Sequence, residues 1–259
     1  MTSSGAGIRA ETGDVEGWAL RAASVTGVRH RLGGLGNDDA FAWHSGAPAL
    51  TVAVADGVSN VTGSAAAAAR AAEVAVAAAG AAITDAPGGA FDAGAVLAAA
   101  VDGANQALTG GDGATTLVVA VVTPDGTVTG ARVGDSSAFV LVGGAWSELF
   151  ATGTGDAGDE DVVSTTTSAL PSPSPRMETA ETRLSTGDAL VLVTDGVADP
   201  LRDGPETVAP ALAGALGEPP GALSLIGLVD FSRQGCHDDR TLLGVWRLAP
   251  VSDGPGEDR

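Results

Sequence analysis

The chain has 259 residues, 44% of them hydrophobic, which is enough apolar material to bury a sizeable core. Its formal net charge of −19 argues against nucleic acid and anionic membrane surfaces as partners. Every basic residue is an arginine, which excludes P-loop nucleotide hydrolases and Schiff-base enzymes, because both need a lysine.

A single cysteine, Cys236, excludes an internal disulfide bond. The N-terminal residues are polar and lack the apolar core of a signal peptide. The longest apolar stretch, 65–83, is interrupted by Arg70 and Glu73, so we expect a soluble helix there rather than a membrane span. These features predict a cytoplasmic protein without membrane contacts.

The sequence predicts eight strands, each a short run of apolar and β-branched residues bounded by turn residues. In chain order they cover 18–26, 40–44, 50–55, 115–122, 127–133, 138–142, 189–194 and 241–248. Pro and Gly within 123–127 predict a hairpin turn, and Gly143-Gly144 predicts a second hairpin over 140–147.

Four helices are predicted between these strands. Two long ones, 63–83 and 90–108, are rich in alanine and separated by a Pro-Gly-Gly break, and two shorter ones cover 206–216 and 223–231. Because hairpins dominate the connections, this element order predicts an α+β layered domain with antiparallel sheets.

The domain is expected to span residues 15–249. Residues 1–14 and 250–259 are polar and rich in Gly, Pro and acidic side chains, so we expect both to be disordered. A Gly/Asp tract followed by a Ser/Thr/Pro tract occupies 152–175 and predicts a flexible flap or surface loop, which could gate a site.

Acidic residues stand at the ends of several predicted strands. Two strands run directly into Asp56-Gly57 and Asp195-Gly196, where a buried strand would hold the carboxylate rigidly and glycine would allow close approach to the backbone. Asp38-Asp39 begins a strand; because neighbouring strand residues face opposite sides, we expect one of the pair to point at a cluster and the other to orient it.

Two further acidic motifs are Asp238-Asp239, before the last strand, and Asp135, after another. Taken singly, each acidic motif is also compatible with an ordinary charged strand end. Carboxylates without Cys/His pairs at zinc spacing favour hard divalent cations such as Mg²⁺ and Mn²⁺.

In chain order, six short motifs resemble the metal-dependent serine/threonine protein phosphatases of type 2C, the PPM family, including its bacterial members. The motifs are Asn37-Asp38-Asp39-Ala40, Val54-Ala55-Asp56-Gly57, Gly113-Ala114-Thr115-Thr116, Gly134-Asp135-Ser136, Val193-Thr194-Asp195-Gly196 and Asp238-Asp239. The resemblance implies a four-layer αββα sandwich, in which two central antiparallel sheets are flanked by helix pairs. It also implies one-step hydrolysis of a phosphate monoester without a phosphoenzyme.

The resemblance further implies a site for two Mn²⁺ or Mg²⁺ ions. Asp56 would bridge both, with the Gly57 carbonyl on the second, and Asp195 and Asp238 would bind the first. Asp39 would hold metal-bound waters.

Several neighbours complete the implied site. Asp38 would lie beside the ligands, Asp135 would mark a third, weaker metal site, and Asp239 and Thr116 would orient neighbouring groups.

The chain departs from the family pattern where a phosphate-gripping arginine is usual, since that position is Gly34. We expect His30, Arg29 or Arg31 to supply the contact, although a basic surface loop explains each of them equally well. His30 or a metal-bound water would also protonate the leaving group, because the family's histidine after the bridging aspartate is Val58 here.

Three functions follow from these motifs. The leading hypothesis is a phosphatase acting on phosphoserine and phosphothreonine in proteins, opposing a cognate kinase. A second is a phosphatase acting on a small phosphorylated metabolite. A third is a non-catalytic binding module with a phosphatase fold, against which the cost of clustering like charges without cations argues.

Overall fold

The computed structural model describes residues 7–86, 89–150, 168–204, 208–235 and 237–249. Its strands form a six-stranded sheet in the order β1-β2-β11-β10-β7-β8 and a five-stranded sheet in the order β3-β4-β5-β6-β9. All neighbouring strands in both sheets pair antiparallel, as the hairpin-rich sequence predicted.

The first half of the chain supplies two strands to each sheet and the two long helices. In order these elements are β1 Ile8–Val15, β2 Trp18–Val25, α1 Val28–Gly33, β3 Asp39–Gly46, β4 Ala49–Asp56, α2 Ser64–Thr84 and α3 Ala93–Leu108. The second half supplies the remaining strands and three short helices. These are β5 Leu117–Val122, β6 Thr127–Val133, β7 Ser137–Val142, β8 Ala145–Glu148, β9 Glu178–Arg183, β10 Ala189–Val193, α4 Asp195–Arg202, α5 Ala209–Ala215, α6 Ala222–Val229 and β11 Arg240–Arg247.

Three apolar clusters hold the layers together. One fills the space between the two sheets, with Leu50, Val52 and Val54 of β4 on one side and Leu190 and Leu192 of β10 on the other. The second lies between α2, α3 and the outer face of the five-stranded sheet. The third lies between the six-stranded sheet and α4, α5 and α6. The predicted four-layer sandwich is therefore confirmed, with three helices rather than a pair on the second face.

Small side chains bring α2 close to the five-stranded sheet. Alternate residues of β4 face opposite sides, so Ala53 and Ala55 point to the helices while the larger residues fill the inter-sheet core. Ala68, Ala72 and Ala75 of α2 are fully buried against this alanine face. The alanine richness of the sequence thus serves close helix-to-sheet packing.

Helix α2 is also long and apolar enough to cross a membrane by length and composition alone. Half of its most apolar window is buried inside the protein, as in the core helix of a folded domain.

Two sequence predictions about order need correction. Residues 8–14 were expected to be disordered, but Ile8–Val15 forms β1 and pairs along its whole length with β2. The strand was missed because it is an edge strand whose largely exposed side chains give no apolar alternation. Residues 1–6 and 250–259 lie outside the described residues, as does Cys236.

The predicted flap at 152–175 is described only from residue 168 onward. There, Leu170 is fully buried and pairs with Thr115 through two backbone hydrogen bonds of 2.8 and 2.9 Å. Asn105 of α3 holds the backbone of Ser172 through both its side-chain oxygen and nitrogen. These residues are therefore anchored to the domain, and 152–167 remain outside the description.

Candidate active site

Acidic side chains from both sheets meet in one pocket at an end of the sandwich. Strand β3 begins and β4 ends at this edge, which makes Asp39 and Asp56 direct partners in the ladder. In the other sheet β10 ends where β11 begins, so Asp195 and Asp238 arrive from the same direction. The pocket is lined by His30, Asp38, Asp39, Asp56, Gly57, Ser59, Asp195, Asp238 and Asp239.

Asp56 is fixed by its backbone. Its carbonyl accepts hydrogen bonds from the Thr116 amide at 2.9 Å and the Thr115 hydroxyl at 2.8 Å. The pKa of its carboxyl is raised well above the ordinary value, first because burial disfavours the charged form and then because Asp39, Asp195 and Asp135 are nearby. The carboxyl of Asp195 lines the same pocket.

Asp195 stands at the first position of α4, one residue after the end of the buried strand β10. Burial raises its pKa to about 6, with Asp135 the strongest of the neighbouring charges, while the hydrogen bond from Asp56 acts in the opposite direction. Asp56 and Asp195, the two Asp-Gly carboxyls that the sequence singled out, therefore line the same pocket, although they come from different sheets.

Asp39 is held by hydroxyl groups from the second sheet. The Thr194 hydroxyl donates to its carboxylate at 2.8 Å and in turn accepts the amide hydrogen of Thr241 at 3.0 Å. The pKa of Asp39 is nevertheless raised well above its usual range, chiefly by burial and then by the charge of Asp239. Thr194 was not among the residues predicted from sequence, although its position just before Asp195 was a usable signal.

Asp239 is a buried acceptor that ties three segments together. Its carboxylate accepts the backbone amides of Gly27 and Asp38, each at 2.6 Å, and faces Nδ1 of His30 at 2.9 Å. It is only 4% exposed. Its adjacent residue Asp238 is half exposed and also lines the pocket.

The pair Asp38-Asp39 differs from the alternation that the sequence predicted. Both side chains line the pocket, because β3 begins only at Asp39 and residue 38 lies outside the pleat. Burial raises the pKa of Asp38, which lies 3.9 Å from Nε2 of His30. The side chain of Asn37 instead accepts the amide hydrogen of Asp39, at 2.9 Å.

The three candidate phosphate contacts are placed differently by α1. His30 is 7% exposed and lines the pocket. Arg29 lies at the rim, donating to Asn60 at 3.0 Å with a nitrogen 3.7 Å from Asp238. Arg31 pairs with Asp230 at 3.1 Å and is not among the pocket-lining residues.

Asp135 lies beside the pocket rather than in its lining, close enough to raise the pKa values of Asp56 and Asp195. Thr116 connects this region to the centre, since its hydroxyl contacts Ser136 at 2.7 Å and accepts the amide of Asp56 at 3.3 Å.

Glycines allow the converging segments to touch. A Cβ on Gly57 would lie 2.6 Å from the Asp38 carbonyl, and one on Gly196 would lie 2.1 Å from the Asp239 carbonyl. Both contacts are shorter than real Cβ atoms tolerate. At Gly196 the close approach to the backbone that the sequence predicted is therefore made by another segment of the chain itself.

The donor set suits a hard divalent cation, because Asp39, Asp56 and Asp195 offer carboxylate oxygens in one pocket, whereas the pocket histidine faces Asp239 instead. Among the described residues, however, no three His, Cys, Asp or Glu side chains are already arranged to hold a metal ion as they stand. Asp39 accepts a hydrogen bond from Thr194. The chemistry fits a metal site in which cations would offset the repulsion among these carboxylates.

Comparison with models of known protein families shows to which family the chain belongs. The model of the family described as protein phosphatase 2C matches residues 26–216, which is well over half of the chain. The chain belongs to the protein phosphatase 2C family.

Solved structures of other family members have the same fold. The Mycobacterium tuberculosis serine/threonine phosphatase PstP/Ppp is 22% identical, with a TM-score of 0.57 over 90% of this chain and 99% of that one. The catalytic domain of PstP in complex with two manganese ions is 24% identical, with a TM-score of 0.60 and the same coverage of 90% and 99%.

The S. agalactiae serine/threonine phosphatase is 17% identical with a TM-score of 0.62, covering 88% of this chain and 99% of that one. A comparison with curated protein sequences gives no match. At these identities the likeness establishes the phosphatase 2C fold, and the chemistry of this chain is argued from its own residues.

Ser59 is the remaining pocket residue that sequence reasoning missed. It follows the Asp56-Gly57 motif by two positions, so proximity to that motif was the available signal.

Proposed function

We propose that this protein phosphatase 2C family member is a metal-dependent phosphomonoester hydrolase that dephosphorylates phosphoserine and phosphothreonine in proteins. The observation that carries the proposal is that Asp56, Asp195 and Asp238, which come from both sheets, line one pocket. Repulsion among carboxylates in a partly buried pocket destabilises the metal-free protein, and bound cations would offset that repulsion.

The proposed cation ligands come from three of the converging segments. Asp56 would bridge two Mn²⁺ or Mg²⁺ ions with help from the Gly57 carbonyl, and Asp195 and Asp238 would bind the first ion. Asp39 would hold bound water with Asp38 beside it, and Asp135 would belong to a third, weaker site. The structure of the PstP catalytic domain in complex with two manganese ions supports the choice of ion and number.

Bound divalent cations would lower the pKa of a water between them and neutralise charge on the transferring phosphoryl group. The chain's own contribution is positioning. The Thr194 hydroxyl holds one oxygen of Asp39 at 2.8 Å, and backbone bonds at Thr115 and Thr116 fix the residue that carries the Asp56 carboxyl. Donors fixed in advance need no reorganisation during the reaction.

The phosphate group of the substrate would meet His30 inside the pocket and Arg29 at its rim. His30 would also supply the proton that the leaving oxygen needs, since it is the imidazole that lines the pocket. Arg31 is excluded from this role because it pairs with Asp230 away from the lining residues.

A small phosphorylated metabolite is the second candidate substrate. It is favoured by the pocket lining, in which His30 is the single basic side chain, so that the pocket itself offers little grip for a large ligand. A protein substrate gains its affinity outside the pocket, and a comparison of phosphopeptides with metabolite phosphates separates these two cases.

The test uses the full chain with two substrates, p-nitrophenyl phosphate and a phosphothreonine peptide. The Mn²⁺ concentration is about 1 mM, which is on the order of the dissociation constants of weak carboxylate sites for divalent cations. Phosphate release from both, abolished by EDTA and restored by added Mn²⁺, is the expected result. Release that persists in EDTA contradicts the metal-dependent mechanism. Mn²⁺ binding by calorimetry without any hydrolysis would instead indicate a non-catalytic binding module.

A further inference from the structure

Four polar side chains outside the pocket lining form a chain of hydrogen bonds that begins and ends at Asp39. We call these residues the Asp39 network, and they are Ser24, Asn37, Thr194 and Thr241. Its three hydroxyl-bearing residues are each at most 2% exposed. A buried hydroxyl group is costly unless it is hydrogen-bonded, and here each of the three has a partner within the network.

One arm of the network holds the carboxylate of Asp39. The Thr194 hydroxyl accepts the amide hydrogen of Thr241 at 3.0 Å and donates its own hydrogen to Oδ2 of Asp39 at 2.8 Å. An ionised carboxylate can only accept, which fixes the direction of this bond. Thr194 is itself held by the backbone, because its amide donates to the Thr241 carbonyl at 3.2 Å. Asp39 therefore meets a donor whose direction is set in advance.

The other arm holds the backbone of Asp39. Oδ1 of Asn37 accepts the amide hydrogen of Asp39 at 2.9 Å, and Nδ2 of the same side chain donates to Oγ of Ser24 at 2.8 Å. Ser24 and Thr241 are paired residues of β2 and β11, and their hydroxyl oxygens lie 2.6 Å apart. Thr241 therefore joins the two arms, through its hydroxyl group on one side and its amide on the other.

The Asp39 network crosses from one sheet to the other. Asp39 is the first residue of β3 in the five-stranded sheet, whereas its hydroxyl donors come from β2, β11 and the residue after β10 in the six-stranded sheet. An ionised Asp39 is repelled by the charges of Asp239 and Asp195, both of which raise its pKa. Donors from the opposite sheet hold the carboxylate in the pocket against this repulsion.

We propose that Ser24, Asn37, Thr194 and Thr241 are positioning residues for the cation site, which hold Asp39 in the orientation that binds the water of a divalent cation. This inference rests on the proposed function and adds to it residues that touch neither the cation nor the substrate. Groups that hydrogen-bond to the ligands of a metal ion orient those ligands, and their loss typically weakens metal binding about 10- to 100-fold.

A purely structural role for the Asp39 network makes a different prediction. Hydrogen bonds between the sheets stabilise the fold whether or not a cation is bound. Their loss would then lower the melting temperature without changing the affinity for Mn²⁺. The affinity for Mn²⁺, measured on protein that is shown to be folded, therefore separates the two roles, and it does not depend on turnover.

The experiment titrates the full chain with Mn²⁺ by calorimetry, after circular dichroism has shown that each variant is folded. Thr194→Val removes the hydroxyl group and keeps the branched shape, Thr194→Ser keeps the hydroxyl group, and Ser24→Ala interrupts the second arm. The control is Thr51→Val. Thr51 is also a fully buried threonine, in β4, and its hydroxyl donates to the backbone carbonyls of His44 and Val76 at 3.5 and 3.4 Å.

We expect Thr194→Val to weaken Mn²⁺ binding about tenfold or more. Ser24→Ala should weaken it about three- to tenfold, as the loss of one neutral hydrogen bond predicts. Thr194→Ser should restore the affinity, and the control Thr51→Val should stay within about twofold of the unmodified chain, because the site is independent of the pocket. Unchanged Mn²⁺ affinity in folded Thr194→Val and Ser24→Ala, or an equal loss in Thr51→Val, overturns the proposal.

A double-mutant cycle tests whether the effect passes through Asp39. In the Asp39→Asn background, Thr194→Val should weaken Mn²⁺ binding much less than it does in the unmodified chain, because coupled residues do not act additively. Additive effects contradict the positioning role. If the unmodified chain binds no Mn²⁺, both this proposal and the metal-dependent function fail. Mn²⁺ binding that depends on Thr194 but is never accompanied by phosphate release overturns the proposed function alone.

Discussion

Asp56 and Asp195 line one pocket, although one ends β4 of the five-stranded sheet and the other begins the helix after β10 of the six-stranded sheet. This arrangement joins the two halves of the sandwich at the pocket. It also places two groups that repel each other, when both are charged, in the position that the proposed chemistry uses.

Replacing Asp56 with Asn should lower the activity and raise the stability of the metal-free protein. The substitution removes one of the two charges and keeps the shape, so we expect metal-dependent phosphate release to fall by a factor on the order of 10²–10³, comparable with loss of one preorganised electrostatic group. The melting temperature in EDTA should rise, because the repulsion with Asp39 and Asp195 is relieved. Phosphate assays and thermal unfolding measure the two effects.

Asp125 provides the matched control for that substitution. It is an exposed acid whose pKa is lowered to about 2 by hydrogen bonds from Thr123 and Thr127 in the hairpin turn. Asp125→Asn should leave phosphate release unchanged and should not raise the melting temperature. Equal behaviour of the two variants would contradict the assignment of Asp56 to the site.

The metal-free protein should lose stability from Asp195 as the pH rises from about 4 to about 6. The folded pKa of about 6 lies above the ordinary 3.8, so the folded state holds this proton more tightly. The contribution is complete below the unfolded pKa and disappears as the pH passes the folded one. It amounts to about 2 kcal/mol after solvent screening.

The measurement compares Asp195→Asn with the unmodified chain in EDTA by denaturant unfolding at several pH values. The Asn variant lacks the titration, so the difference in unfolding free energy between the two proteins should change in its favour between pH 4 and pH 7. A difference that is flat across this range would show that Asp195 titrates normally.

Substitutions of Arg29 and Arg31 should change the KM for phosphopeptides to different extents, although the two residues are only two positions apart. Arg29→Ala removes a rim cation near the proposed phosphate position, so the KM for phosphopeptides should rise about five- to tenfold, as loss of one charge-assisted hydrogen bond predicts. Arg31→Ala removes only a surface pair with Asp230, and its KM should change less than twofold. Steady-state kinetics on one peptide is sufficient, and the reverse order of effects would refute the assignment.

Substitutions of the adjacent residues Asp238 and Asp239 should also have different effects. Asp239→Asn replaces an acceptor that holds two backbone amides at 2.6 Å, so it should cost about 1–3 kcal/mol of stability. Asp238 is half exposed, and Asp238→Asn should leave stability nearly unchanged while weakening Mn²⁺ binding. Unfolding curves in EDTA and calorimetric titration with Mn²⁺ report the two quantities. A large stability loss in Asp238→Asn would contradict this division.

Much of the fold was predictable because its strands are buried and its turns carry clear residues. The strand predicted at 50–55 and the helix predicted at 63–83 match β4 and α2 within one or two residues. The edge strands β1 and β9 were not predictable in the same way. Their side chains are largely exposed, and their ladder partners, rather than an apolar pattern, make them strands.

For the site, the sequence by itself determined which carboxylates stand at strand ends, because an aspartate that follows a buried strand is held at the edge of its sheet. Only the tertiary structure decided how these segments meet, that Asp56 and Asp195 line one pocket, that His30 faces Asp239 and that Arg31 pairs with Asp230. The reason is physical: a strand end fixes where its own side chain begins, whereas distances between segments depend on how the two sheets pack against each other.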